Sequence, residues 1–142
     1  LIEKQQIAAT KLLYMSKQII QTAKAPAPIG PYSQAVKANG MLFISGQVAM
    51  NPETGELATG DIQSETRQVM QNLAAILEEA HLTFEHIVKT NIFLSDMSLF
   101  AQMNEVYGSF FKGDFPARET VAVKGLPRGV NVEISMIAVV DL

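Results

Sequence analysis

A chain of 142 residues, 48% of them hydrophobic, has the length of one domain and can bury about two-thirds of its unfolded surface, a core that needs no staples. Cysteine is absent, which removes disulfides, thiolate metal sites, a Cys nucleophile and thioester chemistry, and fits a reducing compartment. The net charge of -3, with 11 scattered Lys and Arg, argues against a general affinity for nucleic acid.

No apolar run approaches the roughly 18 residues of a membrane span, and the N-terminus lacks the long apolar stretch of a secretory signal, so a cytoplasmic protein is expected. Met15-Ser16-Lys17 reads like a natural start. Residues 1 to 14 are therefore expected to be an N-terminal extension or cloning remnant, with a short helix around Leu12 and Leu13 left open, and residues 15 to 142 a single domain. Gln18 to Gln21 reads as a brief strand. The three prolines of Ala25 to Tyr32 fix φ and bar regular structure, giving a rigid loop that ends in an aromatic. Val36 to Ala38 and Met41 to Ile44 flank Asn39-Gly40, the dipeptide that best supplies the two positive φ values of a type I′ hairpin turn. Gly46, in Ser45-Gly46-Gln47, interrupts the second strand at a bulge or a close backbone approach. A surface turn follows at Asn51 to Gly55.

Asp61 can cap a helix in which Ile62, Val69, Leu73, Ile76, Leu77 and Ala80 form one apolar stripe, opposite a polar face of Gln63, Glu65, Arg67, Gln71, Glu78 and Glu79. Ile87 to Leu94 is strand-like. Asp96 or Ser98 can cap a second helix through about Phe111, with Phe100, Met103, Val106 and Phe110 as its buried stripe. In the last third, two β-branched runs separated by Gly125, Pro127 and Gly129 read as a hairpin. That hairpin would set Glu133 beside the first part of the strand that Arg118 opens. The fold expected is α+β: a six-stranded mixed sheet with two helices on one face. Val121, Val123, Ile137 and Val139 make part of the other face apolar, which points to an oligomer interface.

Glu133 falls mid-strand, with Asn131 and Ser135 on its face, and a carboxylate there needs a cation, hydrogen bonds or a raised pKa. Arg118 is the nearest candidate cation. The plain reading is a structural ion pair or a solvated strand face. His81 and His86 have no matching carboxylate spacing, so no metal site is expected, and Gly-x-Ser-x-Gly elbows, phosphate loops and dinucleotide fingerprints are missing. What remains is a polar set of Tyr32, Ser45, Asn104, Arg118 and Glu133.

The chain resembles the RidA (YjgF-like) enamine/imine deaminases from about Met15 to Leu142. The resemblance rests on Ala27-Pro28-Ile29-Gly30-Pro31-Tyr32-Ser33-Gln34, Ser45-Gly46-Gln47, Asn104-Glu105-Val106-Tyr107, Pro116-Ala117-Arg118 and Val132-Glu133-Ile134, in the family's order and spacing. It implies a chorismate-mutase-like α+β subunit, a homotrimer with sites in the clefts between subunits, and cofactor-free hydrolysis of 2-enamino or 2-imino acids, such as 2-aminoacrylate, to 2-keto acids and ammonia. On this reading Arg118 grips the substrate carboxylate through two parallel donors. Glu133 takes a proton from water and later passes one to the departing nitrogen. Tyr32 walls the site, Ser45 adds a hydrogen bond and Asn104 helps hold the cleft. Thr120 stands where the family often has Cys, and the resemblance implies that this position acts through its backbone carbonyl. The rival readings are a 2-keto acid or carboxylate sensor without turnover, RNA cleavage, and a purely structural role.

Overall fold

The structure, a computed structural model, describes residues 1–141, and for residues 13–15 the backbone alone. A helix, α1 (Ile2–Met15), precedes the strands β1 (Gln18–Ile20), β2 (Ala35–Ala38) and β3 (Met41–Gln47). Then come α2 (Ile62–Glu79), β4 (Ile87–Leu94), α3 (Phe100–Ser109), β5 (Ala117–Ala122) and β6 (Val132–Val139). α1 runs through the expected start at Met15 and carries exposed Ile2, Ile7 and Leu12. It is a third helix beside the two expected.

Local chemistry sets most of these elements. Asn39 and Gly40, at φ 50° and 73°, close the β2–β3 hairpin. The register of β3 against β6 shifts between Ile44 and Gln47, which is the bulge signalled by Gly46. Asp61 caps α2 by accepting from Ser64 N–H at 2.8 Å. Asp96 caps a short 3-10 turn, Met97–Leu99, that leads into α3.

The six strands form one mixed sheet in the order β1-β2-β3-β6-β4-β5, with only the β4–β5 pair parallel. Here the expected C-terminal hairpin is overturned: β5 and β6 do not pair, because β4 lies between them. The stretch between them crosses the end of β4 instead, tied there by Val123 N–H to Leu94 O and by Ser95 N–H to Asn131 O, each at 2.9 Å. Its Gly and Pro residues signal a reversal of the chain but not how many strands the reversal spans.

Leu42, Ile44, Ile92, Leu94, Val132, Ile134 and Met136 line the covered sheet face and pack with Leu73, Ile76, Leu77 and Met103 of the helices. Each fully buried side chain of this size contributes about 1.5–3 kcal/mol. One residue of α2 departs from its expected face. Glu65 is fully buried, its carboxylate accepting from Asn131 N–H at 2.7 Å and Asn131 Nδ2 at 3.0 Å. The opposite sheet face is open: Ile19, Phe43 and Val121 are about half exposed there, and the register aligns Ile19, Val36, Phe43 and Ile137 in one apolar row.

Candidate active site

Side chains directly opposite on paired strands share a sheet face. Arg118 lies opposite Thr90 and Glu133 opposite Phe93. Thr90 and Phe93 are three residues apart on β4, so Arg118 projects to the helix-covered face and Glu133 to the open one. The two are therefore not an ion pair within the chain, and Arg118, the nearest candidate cation by sequence, is not beside Glu133: the inserted β4 sends them into separate pockets.

The Arg118 pocket, about 300 Å³, is lined also by Asn104, Tyr107, Gly108, Phe115 and Pro116. Arg118 Nη1 donates to Asn104 Oδ1 at 2.6 Å, and the guanidinium lies over the rings of Tyr107 and Phe100, 5.1 and 5.5 Å from their centroids. Tyr107 is held in turn by its hydroxyl, which donates to buried Thr90 Oγ1 at 3.0 Å. Among the described residues no carboxylate forms a salt bridge with Arg118. Its planar fork is thus oriented by an amide and two rings, with its charge left for an anion. Two residues further on β5, on the same face, buried Thr120 Oγ1 has no hydrogen-bond partner.

The Glu133 pocket, about 320 Å³, is lined by Ile29, Tyr32, Ser45, Gly46, Val48, Pro127 and Arg128 as well. Desolvation by burial holds the Glu133 carboxyl above the usual carboxylate range. Gly46 leaves room for this side chain: a Cβ there would stand 2.8 Å from Glu133 Cδ, so the carboxyl end would have to shift. Ser45 Oγ donates to Ser33 O at 2.6 Å, so its one proton is committed and toward a ligand it can only accept. Tyr32 Oη accepts from Ile29 N–H at 3.3 Å. The proline loop is clamped by buried Gln34, whose Oε1 accepts from Thr22 N–H and whose Nε2 donates to the Thr22, Ala25 and Pro26 carbonyls.

The five polar residues singled out in the sequence, with Thr120, thus fall into two groups: Asn104, Arg118 and Thr120 on the covered face, and Tyr32, Ser45 and Glu133 in the other pocket. Three residues that shape these pockets were given no site role by the sequence reading. Phe100 reads as part of the buried stripe of the helix and Tyr107 as part of a signature segment; in the structure Tyr107 lies in the core, Phe100 packs against it, and both rings meet the guanidinium. Arg128 sits in a Pro-Arg-Gly turn at φ 58°, a left-handed conformation that its side chain type does not announce.

The fold and its two pockets define an α+β domain that combines a ring-stacked arginine, without a carboxylate partner among the described residues, with a partly desolvated carboxyl. Residues 22–140 match the family described as Endoribonuclease L-PSP. The chain belongs to this family, the Ribonuc_L-PSP/RidA proteins. It is 46% identical over 123 residues to the 2-iminobutanoate/2-iminopropanoate deaminase of Mus musculus, covering 87% of this chain and 91% of the mouse one. Among solved structures it is similar to YyfA, of the conserved Rid protein family of Yersinia pestis (TM-score 0.85, 49% identity, 87% of this chain and 99% of that one). It is likewise similar to Escherichia coli TdcF with bound serine (TM-score 0.83, 42% identity, 86% and 98%).

Proposed function

We propose that this protein hydrolyses 2-imino and 2-enamino acids, such as 2-aminoacrylate, to 2-keto acids and ammonia. The observation that carries the reading is the oriented Arg118, without a carboxylate partner among the described residues, in a chain that also holds Glu133 above the usual carboxylate range. The likeness to the mouse deaminase supports the reaction, and the serine in TdcF supports a ligand of amino-acid size.

Arg118 would receive the substrate carboxylate through its fork. Glu133 would take a proton from water as the oxygen adds to the imine carbon. That proton would pass to nitrogen, giving a carbinolamine, and the carbinolamine's hydroxyl proton would follow through Glu133 to nitrogen as the C–N bond breaks and the C=O bond forms. Imine and water thus become ketone and ammonia. Tyr32 would wall the site, Asn104 would hold the guanidinium, Ser45 would accept from substrate or water, and Thr120 would act through its carbonyl.

The two pockets are separate within one chain, so a site using both residues takes Arg118 from one copy and Glu133 from the next. A homotrimer with three such clefts fits this arrangement, and the apolar row on the open sheet face offers a surface for it. The test is the lifetime of 2-aminoacrylate generated by a serine dehydratase, read by a semicarbazide trap, with catalytic amounts of wild type, Arg118→Ala or Glu133→Ala. Wild type should shorten the lifetime with turnover and neither folded variant should. If wild type leaves it unchanged while a 2-keto acid still raises its melting temperature, a carboxylate sensor replaces the enzyme.

A further inference from the structure

α2 carries three fully buried polar side chains: Thr66 bonds back to Ile62 O within the helix, whereas Glu65 and Asn72, seven residues apart and so on one helix face, reach outside it. Neither belongs to the apolar stripe that docks the helix. Asn72 reaches a wall of the Glu133 pocket, and Glu65 reaches Asn131, two residues before Glu133 itself. Asn72 Nδ2 donates to Val48 O at 3.1 Å and to Met50 O at 2.9 Å. Val48 lines the pocket, and Met50 Sδ lies 3.9 Å from Arg128 Nη1, another lining residue. Asn72 itself is steadied by Gln68 Nε2, which donates to its Oδ1 at 2.9 Å.

Glu65 holds the approach to Glu133 itself. Its two oxygens accept from the backbone N–H and the side-chain amide of Asn131. Asn131 is also bonded to the end of β4, its carbonyl accepting from Ser95 N–H at 2.9 Å and its Oδ1 from Ser95 Oγ at 2.8 Å. Two residues later comes Glu133. Glu65 thus fixes the point where the crossing stretch becomes β6. Apolar residues at both ends of these contacts would dock α2 equally well, since a buried polar pair adds little net stability compared with a well-packed apolar one. What they add here is a fixed geometry.

We infer that Glu65 and Asn72 are positioning residues of the catalytic centre, holding the approach to Glu133 and a wall of its pocket so that the carboxyl stands where water must be deprotonated. This deepens the deaminase reading and rests on it. Hydrolysis by a misplaced base fails in the chemical step, while the carboxylate grip of Arg118, built on α3 and β5, is left intact.

The experiment compares Glu65→Leu, Glu65→Gln and Asn72→Leu with Val69→Ala. Val69 is a fully buried residue of the same helix whose side chain supplies no hydrogen bond to either place, so its variant controls for lost stability alone. Steady-state hydrolysis of 2-aminoacrylate is measured well below each melting temperature. Glu65→Leu and Asn72→Leu should lose up to about 10²-fold in kcat with KM little changed, as expected for a displaced reacting group. Val69→Ala should keep its kcat despite a lower melting temperature. Glu65→Gln should recover most of the loss, because its amide oxygen still accepts from Asn131 N–H and the Asn131 side chain can flip, with Ser95 Oγ then accepting. A kcat that follows melting temperature across all four variants overturns the proposal.

A second readout works without turnover. In protein labelled with 13C-carboxyl glutamate, the Glu133 midpoint should move back toward the ordinary range in Glu65→Leu and Asn72→Leu, as the loosened pocket admits water, and stay in place in Val69→Ala. Arg128 and Tyr32 are the other titratable groups lining that pocket, and both are retained in every variant. Wild type without turnover would end the deaminase reading; a midpoint equal in all variants would end the positioning role.

Discussion

Arg118 and Glu133 stand on strands separated by β4 and leave opposite faces of the same sheet. No rotamer change can bring them to one substrate within a chain. A chemistry that uses both makes the reactive unit a pair of chains, with the open apolar face of each sheet available to join them.

That arrangement predicts complementation. Arg118→Ala and Glu133→Ala, each inactive alone, should regain activity when co-expressed or unfolded and refolded together. Random mixing places an intact Arg beside an intact Glu in about a quarter of clefts, half times half, in a symmetric oligomer. Activity that stays at the level of the separate variants would show that the site does not cross copies.

Gly46 should not accept a side chain without displacing Glu133. A Cβ would meet Glu133 Cδ at 2.8 Å and its Oε1 at 3.1 Å, so Gly46→Ala should push the carboxyl aside and cut kcat by about tenfold or more. Deamination kinetics at constant substrate, beside a melting curve showing a folded protein, checks this. A fully active Gly46→Ala would mean that the carboxyl has room to retreat without consequence.

Replacing Glu133 by Gln should raise the melting temperature at neutral pH. The carboxyl is held above its ordinary value of 4.5 by desolvation, so the folded protein binds that proton more tightly than the unfolded chain does. Its stabilising contribution is complete below 4.5 and is lost as pH rises through the raised value. The gain of Glu133→Gln over wild type should accordingly be small under acid conditions and grow toward neutrality. Hydrolysis by wild type, which needs the ionised form, should rise over the same window. Melting curves with the two lines parallel at all pH values would contradict the raised pKa.

Thr120→Val should be neutral or stabilising by up to about 1 kcal/mol, since it removes a buried hydroxyl that has no partner while keeping the branched shape. If the position serves through its backbone carbonyl, kcat/KM for 2-aminoacrylate will be retained. A large loss of activity in a stable Thr120→Val protein would assign the work to the hydroxyl.

Asn104→Ala should weaken substrate binding more than turnover. It removes the acceptor that meets Arg118 Nη1 at 2.6 Å but leaves the stacking on Tyr107 and Phe100. The guanidinium then samples more orientations, and KM should rise severalfold, on the order of one hydrogen bond to a charged group. An unchanged KM would make Asn104 dispensable for holding the arginine.

The sequence by itself determined what depends on neighbours along the chain. Asn39-Gly40 dictated the tight hairpin because those residues accept positive φ, Gly46 marked the bulge, Asp61 marked the start of α2, and the spacing of Val69, Leu73 and Ile76 set its buried face. The signature segments were enough to name the family and its candidate residues. Only the tertiary structure decided how those residues are shared out. Gly125, Pro127 and Gly129 signal that the chain turns back, but pairing with a near strand or skipping past β4 depends on which edge is already occupied. That is a competition among distant segments, with no local signature. Glu65 shows the same limit: its helical position reads as a polar face, and it is buried only because Asn131, sixty-six residues further on, arrives with two donors to satisfy it. The candidate residue types were written in the chain, whereas the separation of Arg118 from Glu133 came from the order of the strands.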